Sequence, residues 1–116
     1  MNDAVERIDP QDAEAMIDRG EAVVIDVREP AEIAMSGIVP GALTIPMGEF
    51  ADKADPESPD HDPALKPDKP IILYCASGKR SEAAGKYLLS LGYSKVFNLG
   101  GLKDWENAGL PVDEAG

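Results

Sequence analysis

Four short apolar runs punctuate the chain, and between them apolar positions recur every three or four residues. The first run, Ala22-Val23-Val24-Ile25-Asp26-Val27, is β-branched and almost wholly apolar. That is the pattern of a strand covered on both faces, as in a parallel sheet. Leu43-Thr44-Ile45 is a second, smaller strand ended by Pro46, Ile71-Ile72-Leu73-Tyr74 a third, and Val96-Phe97-Asn98-Leu99 the last. Helical spacing fills the intervals. Asp9-Pro10 supplies a capping residue and a first-turn proline, Ala13, Met16 and Ile17 follow on one face, and Gly20 stops the helix. A short helix is predicted over 31–35 after the Glu29-Pro30 break, and Pro40-Gly41 marks a turn within 37–42. Ala83, Ala84, Tyr87, Leu88 and Leu91 line one face of a helix over 80–91 that Gly92 ends. A final helix covers 102–108. From Phe50 to Pro70 the chain turns polar and rich in Asp, Lys and Pro, and reads as a helix fragment followed by an exposed loop, placed at 51–69, the least ordered part. Strands alternating with helices predict an α/β layered fold with a largely parallel sheet.

At 116 residues and 43% apolar content the chain suits a single domain over 1–116, with a small core spanning about 5–112. Asp and Glu outnumber Lys and Arg by 22 to 11, for a formal charge of -11. No basic stripe is available to neutralise phosphates, which argues against nucleic acid as a partner, and an anionic membrane surface should repel the chain. The acidic excess is read as solubility rather than a docking face. One cysteine allows no disulfide within the chain, no apolar stretch approaches the ~20 residues of a membrane span, and the first residues lack the basic start and apolar run of a signal peptide. A soluble cytoplasmic protein is the expectation.

Ligands of open parallel sheets bind beyond the carboxyl ends of the strands. Three of those ends carry polar or glycine-rich residues: Asp26-Val27-Arg28-Glu29, Cys75 with the loop that follows, and Asn98-Leu99-Gly100-Gly101. The loop Cys75-Ala76-Ser77-Gly78-Lys79-Arg80-Ser81 joins a strand to a helix within about six residues, so its N–H groups should turn inward as a nest at a helix N-terminus. Such a nest, with Lys79 and Arg80 beside it, should lower the Cys75 thiol pKa without a His or carboxylate base. Cys75 is therefore the candidate nucleophile, and Ala76, Ser77, Gly78, Lys79, Arg80 and Ser81 are candidates for binding an oxyanion. Arg80 suits either bidentate anion binding or a carboxylate brace, and Ser81 either a hydrogen bond or a helix cap. Asp26 and Arg28 are assigned a supporting role because their strand end should face the loop. Gly100-Gly101 is either a plain turn or a close approach to the loop. Trp105 is read as packing and His61 as a solvated loop residue.

With those residues in place, the sequence resembles the single-domain rhodanese (thiosulfate sulfurtransferase-like) family from about Val5 to Val112. The resemblance rests on Asp26-Val27-Arg28-Glu29 with Glu32 following, Gly37-Ile38-Val39-Pro40-Gly41-Ala42 leading to Ile45-Pro46, the Cys75 loop, and Leu99-Gly100-Gly101 with Trp105 and Ala108-Gly109-Leu110-Pro111-Val112. It implies a three-layer α/β/α fold around a central, mostly parallel five-stranded sheet. It implies a sulfurtransferase in which Cys75 carries sulfur as a persulfide, taken from a small anionic donor such as thiosulfate and given to cyanide or a thiol acceptor, small molecule or protein, with no metal or cofactor. Four residues separate Cys75 from Arg80, the shorter loop of the sulfurtransferases rather than the longer one of the related phosphatases and arsenate reductases. The family often has His where this chain has Ile38. A sulfur-relay or protein-interaction module without turnover, and a phosphatase or arsenate reductase, stay open as alternatives.

Overall fold

The computed structural model describes residues 4–114. Its centre is a five-stranded sheet of β1 (Glu6–Arg7), β2 (Val23–Asp26), β3 (Leu43–Thr44), β4 (Ile71–Cys75) and β5 (Val96–Gly101) in the order β1-β5-β4-β2-β3. Every pairing is parallel, so the carboxyl ends of β2, β4 and β5 do meet at one edge. Five helices complete the fold: α1 (Pro10–Asp18), α2 (Pro30–Ser36), α3 (Met47–Ala54), α4 (Lys79–Ser90) and α5 (Leu102–Asn107). The three-layer architecture is the one the resemblance implies.

Alternation along the strands sorts the core into two halves. Ile71, Leu73 and Cys75 join Ile25 and Val27 on one face, under Phe50 and Ala54 of α3 and Ala84 and Leu88 of α4. Ile72 and Tyr74 join Val24 on the other, under Ala13 of α1 and Leu102 and Trp105 of α5. All five residues of β4 are buried, which is why this strand reads as continuous apolar sequence. Trp105 is packing, 2% exposed, with its indole N–H donating to the Pro111 carbonyl at 2.7 Å.

Three features depart from the sequence reading. The edge strand β1 has no apolar run to announce it. Both its residues are exposed, and it is held by pairing with Phe97 and Asn98 and by the burial of Val5 against α4. There Gly85 leaves the space, since a Cβ at that position would come within 2.7 Å of Val5 Cγ2. Asp9 does precede α1, but its side chain makes no capping hydrogen bond. The segment read as an exposed loop over 51–69 begins inside α3 and is tied down further on. Leu65 is fully buried, and the buried Tyr93 hydroxyl reaches the Ala54 carbonyl at 2.8 Å and that of Leu65 at 3.2 Å. His61 is half-buried rather than solvated, its Nε2 lying 2.6 Å from the Leu65 carbonyl. A polar composition hides a segment that, beyond α3, is anchored by one buried apolar residue, Leu65.

Tyr93→Phe keeps the ring and removes the buried donor. It is expected to lower stability by about 1 to 2 kcal/mol, read by urea unfolding, with Cys75 reactivity unchanged.

Candidate active site

Strand β4 ends at Cys75 and α4 begins at Lys79, so the turn is made by Ala76, Ser77 and Gly78 alone. Gly78 is the N-cap of α4 at φ 96°, a left-handed conformation that favours glycine. The tight turn brings its N–H onto the Cys75 sulfur at 3.0 Å. From the first turn of the helix, the Ser81 hydroxyl lies 3.4 Å from the same sulfur. Ser81 is thus a buried partner of the thiol and not the helix cap.

Cys75 is itself buried. Burial pushes its thiol up, but the Ser81 hydroxyl and the N–H groups of Ser81, Ser77 and Gly78 outweigh that, and the pKa lies below the ordinary thiol value. The expected nest therefore acts through dipoles and hydrogen bonds. Lys79 is exposed, and its side chain has no hydrogen-bond or ion-pair partner among the described residues. Of the two uses open to Arg80, the structure takes the brace: its guanidinium donates two bonds to Glu32, at 2.7 and 2.8 Å. Glu32 also accepts the Glu29 N–H at 3.0 Å in the capping box of α2, so the pair links the starts of α2 and α4. The Arg80 bonds, followed by that N–H, hold the Glu32 carboxyl down to about 2.

The two glycines after Leu99 approach the loop closely. Gly101 has φ -110°, which any residue adopts, so space alone demands glycine there. A Cβ would lie 2.2 Å from the Ala76 carbonyl oxygen. Gly100 sits against Gly78, whose own Cβ would come within 3.3 Å of the Gly100 Cα.

Asp26 and Arg28 are not at the loop. By alternation Asp26 projects to the face opposite Cys75, where it pairs with Arg28 at 2.7 Å, their side chains 0% and 4% exposed. Arg28 also donates to Ser36 Oγ and the Gly37 carbonyl, both at 2.7 Å, and lies 5.7 Å from the centre of the Tyr74 ring. Burial, with Asp26 close by, pushes the Tyr74 hydroxyl well above its usual range, so it stays protonated while accepting the Val39 N–H at 3.0 Å. These residues brace the turn that contains Ile38, whose backbone pairs with Asp113. They reach the loop only through the field of Arg28 on Glu32. Asn98, by contrast, had no role assigned from sequence, yet it lies directly under the loop. A polar residue inside the apolar run Val96-Phe97-Asn98-Leu99 was the available signal.

Fold and loop together define an α/β protein that turns one cysteine thiol toward converging N–H groups at a helix start. The model of the rhodanese-like domain family matches residues 9–108, and the chain belongs to that family. It is 36% identical over 101 residues to a sulfurtransferase of Allochromatium vinosum, covering 86% of each chain. It is 33% identical over 102 residues to the thiosulfate sulfurtransferase GlpE of Stutzerimonas stutzeri, covering 87% of this chain and 84% of that protein. Among solved structures, a Rhodopseudomonas palustris protein of unknown function, a possible tyrosine phosphatase, superposes with a TM-score of 0.85 at 34% identity, over 94% of this chain and 85% of that one. The two sulfurtransferases among these relatives support a rhodanese sulfurtransferase family for the chain. Among the described residues no helix is long and apolar enough to cross a membrane.

Gly101→Ala is expected to push the Ala76 carbonyl outward, costing about 1 to 3 kcal/mol and slowing Cys75 alkylation relative to a free thiol; an unshifted urea midpoint and unchanged reactivity would count against the close approach. Because the folded Glu32 pKa lies below the ordinary carboxylate value, its contribution is complete above about pH 4.5 and is lost as pH falls toward about 2. For a pair about one-third exposed that contribution is small, about 1 kcal/mol or less. The stability gap between the wild type and Glu32→Gln should therefore hold steady above about pH 4.5 and narrow as pH falls from there toward about 2, measured by urea unfolding at each pH.

Proposed function

We propose that the protein is a sulfurtransferase that carries sulfane sulfur on Cys75, with thiosulfate as a small anionic donor and a thiolate or cyanide as acceptor. The observation that carries this reading is the Gly78 N–H on the Cys75 sulfur at 3.0 Å in a turn of three residues, which favours the thiolate without a base. The thiolate attacks the outer sulfur of thiosulfate. A new S–S bond forms as the S–SO3 bond breaks, and its electron pair leaves with sulfite. The negative charge then rests on the outer sulfur of the persulfide, facing the loop amides. An acceptor thiolate or cyanide attacks that sulfur, and the electron pair of the broken bond returns to Cys75. The sulfonate of the donor meets exposed Lys79 and the positive end of α4. Cys75 is the one cysteine in the chain, so discharge needs a nucleophile from outside it.

The resemblance to a possible tyrosine phosphatase keeps phosphoryl chemistry as a second reading. Two features weigh against it. The turn is short for a tetrahedral phosphate, and the Arg80 fork that would clamp phosphate oxygens is already bonded to Glu32.

Incubation with thiosulfate and cyanide should give thiocyanate with the wild type and only background with Cys75→Ser. Equal production by the two proteins would overturn the proposal, as would Cys75-dependent hydrolysis of an aryl phosphate in place of sulfur transfer.

A further inference from the structure

Beneath the loop lies a buried side chain that the reaction as drawn does not use. Asn98 stands on β5 opposite Leu73 and is 1% exposed. Its amide is engaged at both ends. Oδ1 accepts the Ser81 hydroxyl at 2.7 Å and the Gly100 N–H at 2.9 Å, while Nδ2 donates to the Gly78 carbonyl at 3.0 Å and to Glu82 Oε1 at 3.1 Å. The Gly100 N–H can only donate and the Gly78 carbonyl can only accept, so the amide has one possible orientation. Its oxygen must face Ser81.

Gly78 and Ser81, held by this amide, both approach the Cys75 sulfur, at 3.0 and 3.4 Å. Asn98 grips both without contacting the sulfur. The Ser81 hydroxyl has a single proton. While that proton points to Asn98, the serine oxygen offers a lone pair to the sulfur, which suits a thiol. When the sulfur is an anion, the hydroxyl serves it by turning its proton toward it. Asn98 Oδ1 then keeps the Gly100 N–H and is not left unsatisfied.

We propose that Asn98 is a positioning residue for sulfur transfer: it holds Gly78 and Ser81 against the Cys75 sulfur and parks the Ser81 proton whenever that sulfur is uncharged. The proposal rests on the persulfide reading above. When the thiolate attacks the donor, charge moves to the outer sulfur and the hydroxyl turns back to Asn98. When the acceptor attacks the persulfide, the bond to the outer sulfur breaks, its electron pair stays on Cys75, and the hydroxyl turns to that sulfur. The proton never leaves the serine oxygen, so the step needs no co-reactant.

Other charges bear on the same sulfur. Arg80, held by Glu32 of α2, feels the thiolate, and Glu82 faces Asn98. Arg7 of β1 lies beside the Gly78 and Gly100 backbones. Lys79 is exposed at the start of α4, and Asp104 accepts the Gly101 N–H at 2.9 Å. All of these side chains are kept in the variants that test the proposal, Glu82 alone losing its bond from Asn98.

The decisive measurement is the pH dependence of Cys75 alkylation by iodoacetamide, in the wild type, Asn98→Leu, Ser81→Ala and the double variant. Ser81→Ala takes the hydroxyl from the thiolate and should raise the apparent thiol pKa by about one unit, a tenfold loss of thiolate at pH values below it. Asn98→Leu should raise it likewise, because the loosened Gly78 N–H and Ser81 hydroxyl cost the thiolate more than the lost acceptor costs the thiol. The double variant should raise it by less than the sum, because the two residues share one path to the sulfur. Asn98→Asp keeps the shape and the acceptor, places an anion against the Gly78 carbonyl, and should raise the pKa further. It also serves where Asn98→Leu does not fold. An unshifted pH profile in a folded Asn98 variant, even one of reduced stability, would overturn the proposal, and so would strict additivity. Alkylation needs no sulfur donor. A wild type that makes no thiocyanate would thus defeat the sulfurtransferase reading while the thiol titration still decides the role of Asn98.

Discussion

The side-chain alternation of β4 is the constraint on which the rest of the structure depends. Ile71, Leu73 and Cys75 share the face covered by α3 and α4, while Ile72 and Tyr74 share the face covered by α1 and α5. Since α4 starts only a short turn after the strand, the last residue on its face delivers its side chain to that helix's N-terminus. A one-residue slip would send Cys75 to the opposite face and bring Tyr74 under the loop. The slip is opposed along the whole strand, because β4 pairs with β2 over Ile71–Tyr74 and with β5 through Cys75. The position of the thiol is thus an outcome of core packing, and the loop only has to close over it.

The two ion pairs near the sheet edge do different physical work. Asp26–Arg28 is almost fully withdrawn from water, so the desolvation of both charges must be recovered through fixed geometry. It is recovered by bonds to Asp26, Ser36 and the Gly37 carbonyl, which together fix the turn leading to Ile38. Its contribution is placement of the backbone rather than chemistry at the sulfur. Glu32–Arg80 is about one-third exposed, costs little to desolvate and contributes correspondingly little to stability. What it does is occupy the guanidinium. An arginine held by a carboxylate is a poor clamp for a phosphate, yet its positive charge still reaches the thiolate.

How much of this the sequence disclosed follows from how local each cause is. The buried strands, the helix after Cys75 and the shared sheet edge rest on runs and periodicities within ten or so residues, and they are legible. Asp26 and Arg28 brace the turn at Ser36 and Gly37 and do not face the loop, because sharing an edge says nothing of which face a side chain takes, and period two puts Asp26 on the face opposite Cys75. The brace between Arg80 and Glu32 spans 48 positions, and nothing local joins them. For Gly101 the sequence leaves a plain turn and a close approach equally open, and the structure takes the close approach: its backbone is ordinary and its requirement is room for the Ala76 carbonyl. Strand β1 and the anchoring of Leu65 were invisible for a related reason. Each depends on one buried neighbour, too little apolar surface to form a pattern.

A buried thiolate sets two demands against each other. Removing the sulfur from water raises the cost of its charge, and that is the largest influence on Cys75. Donors fixed in advance must exceed it, and a turn this short has room for few of them. The chain meets the demand by making the same residues donors and structural joints: Gly78 caps α4 while its N–H meets the sulfur, and Ser81 sits in the first turn while its hydroxyl does so. Joints so placed need holding from below, since the loop above them faces solvent at Ala76 and Ser77. β5 supplies that support by carrying a polar side chain where an apolar one would pack more simply, and by ending in glycines that let the loop settle onto it. Polarity inside the core is thus the cost of keeping a charged sulfur there.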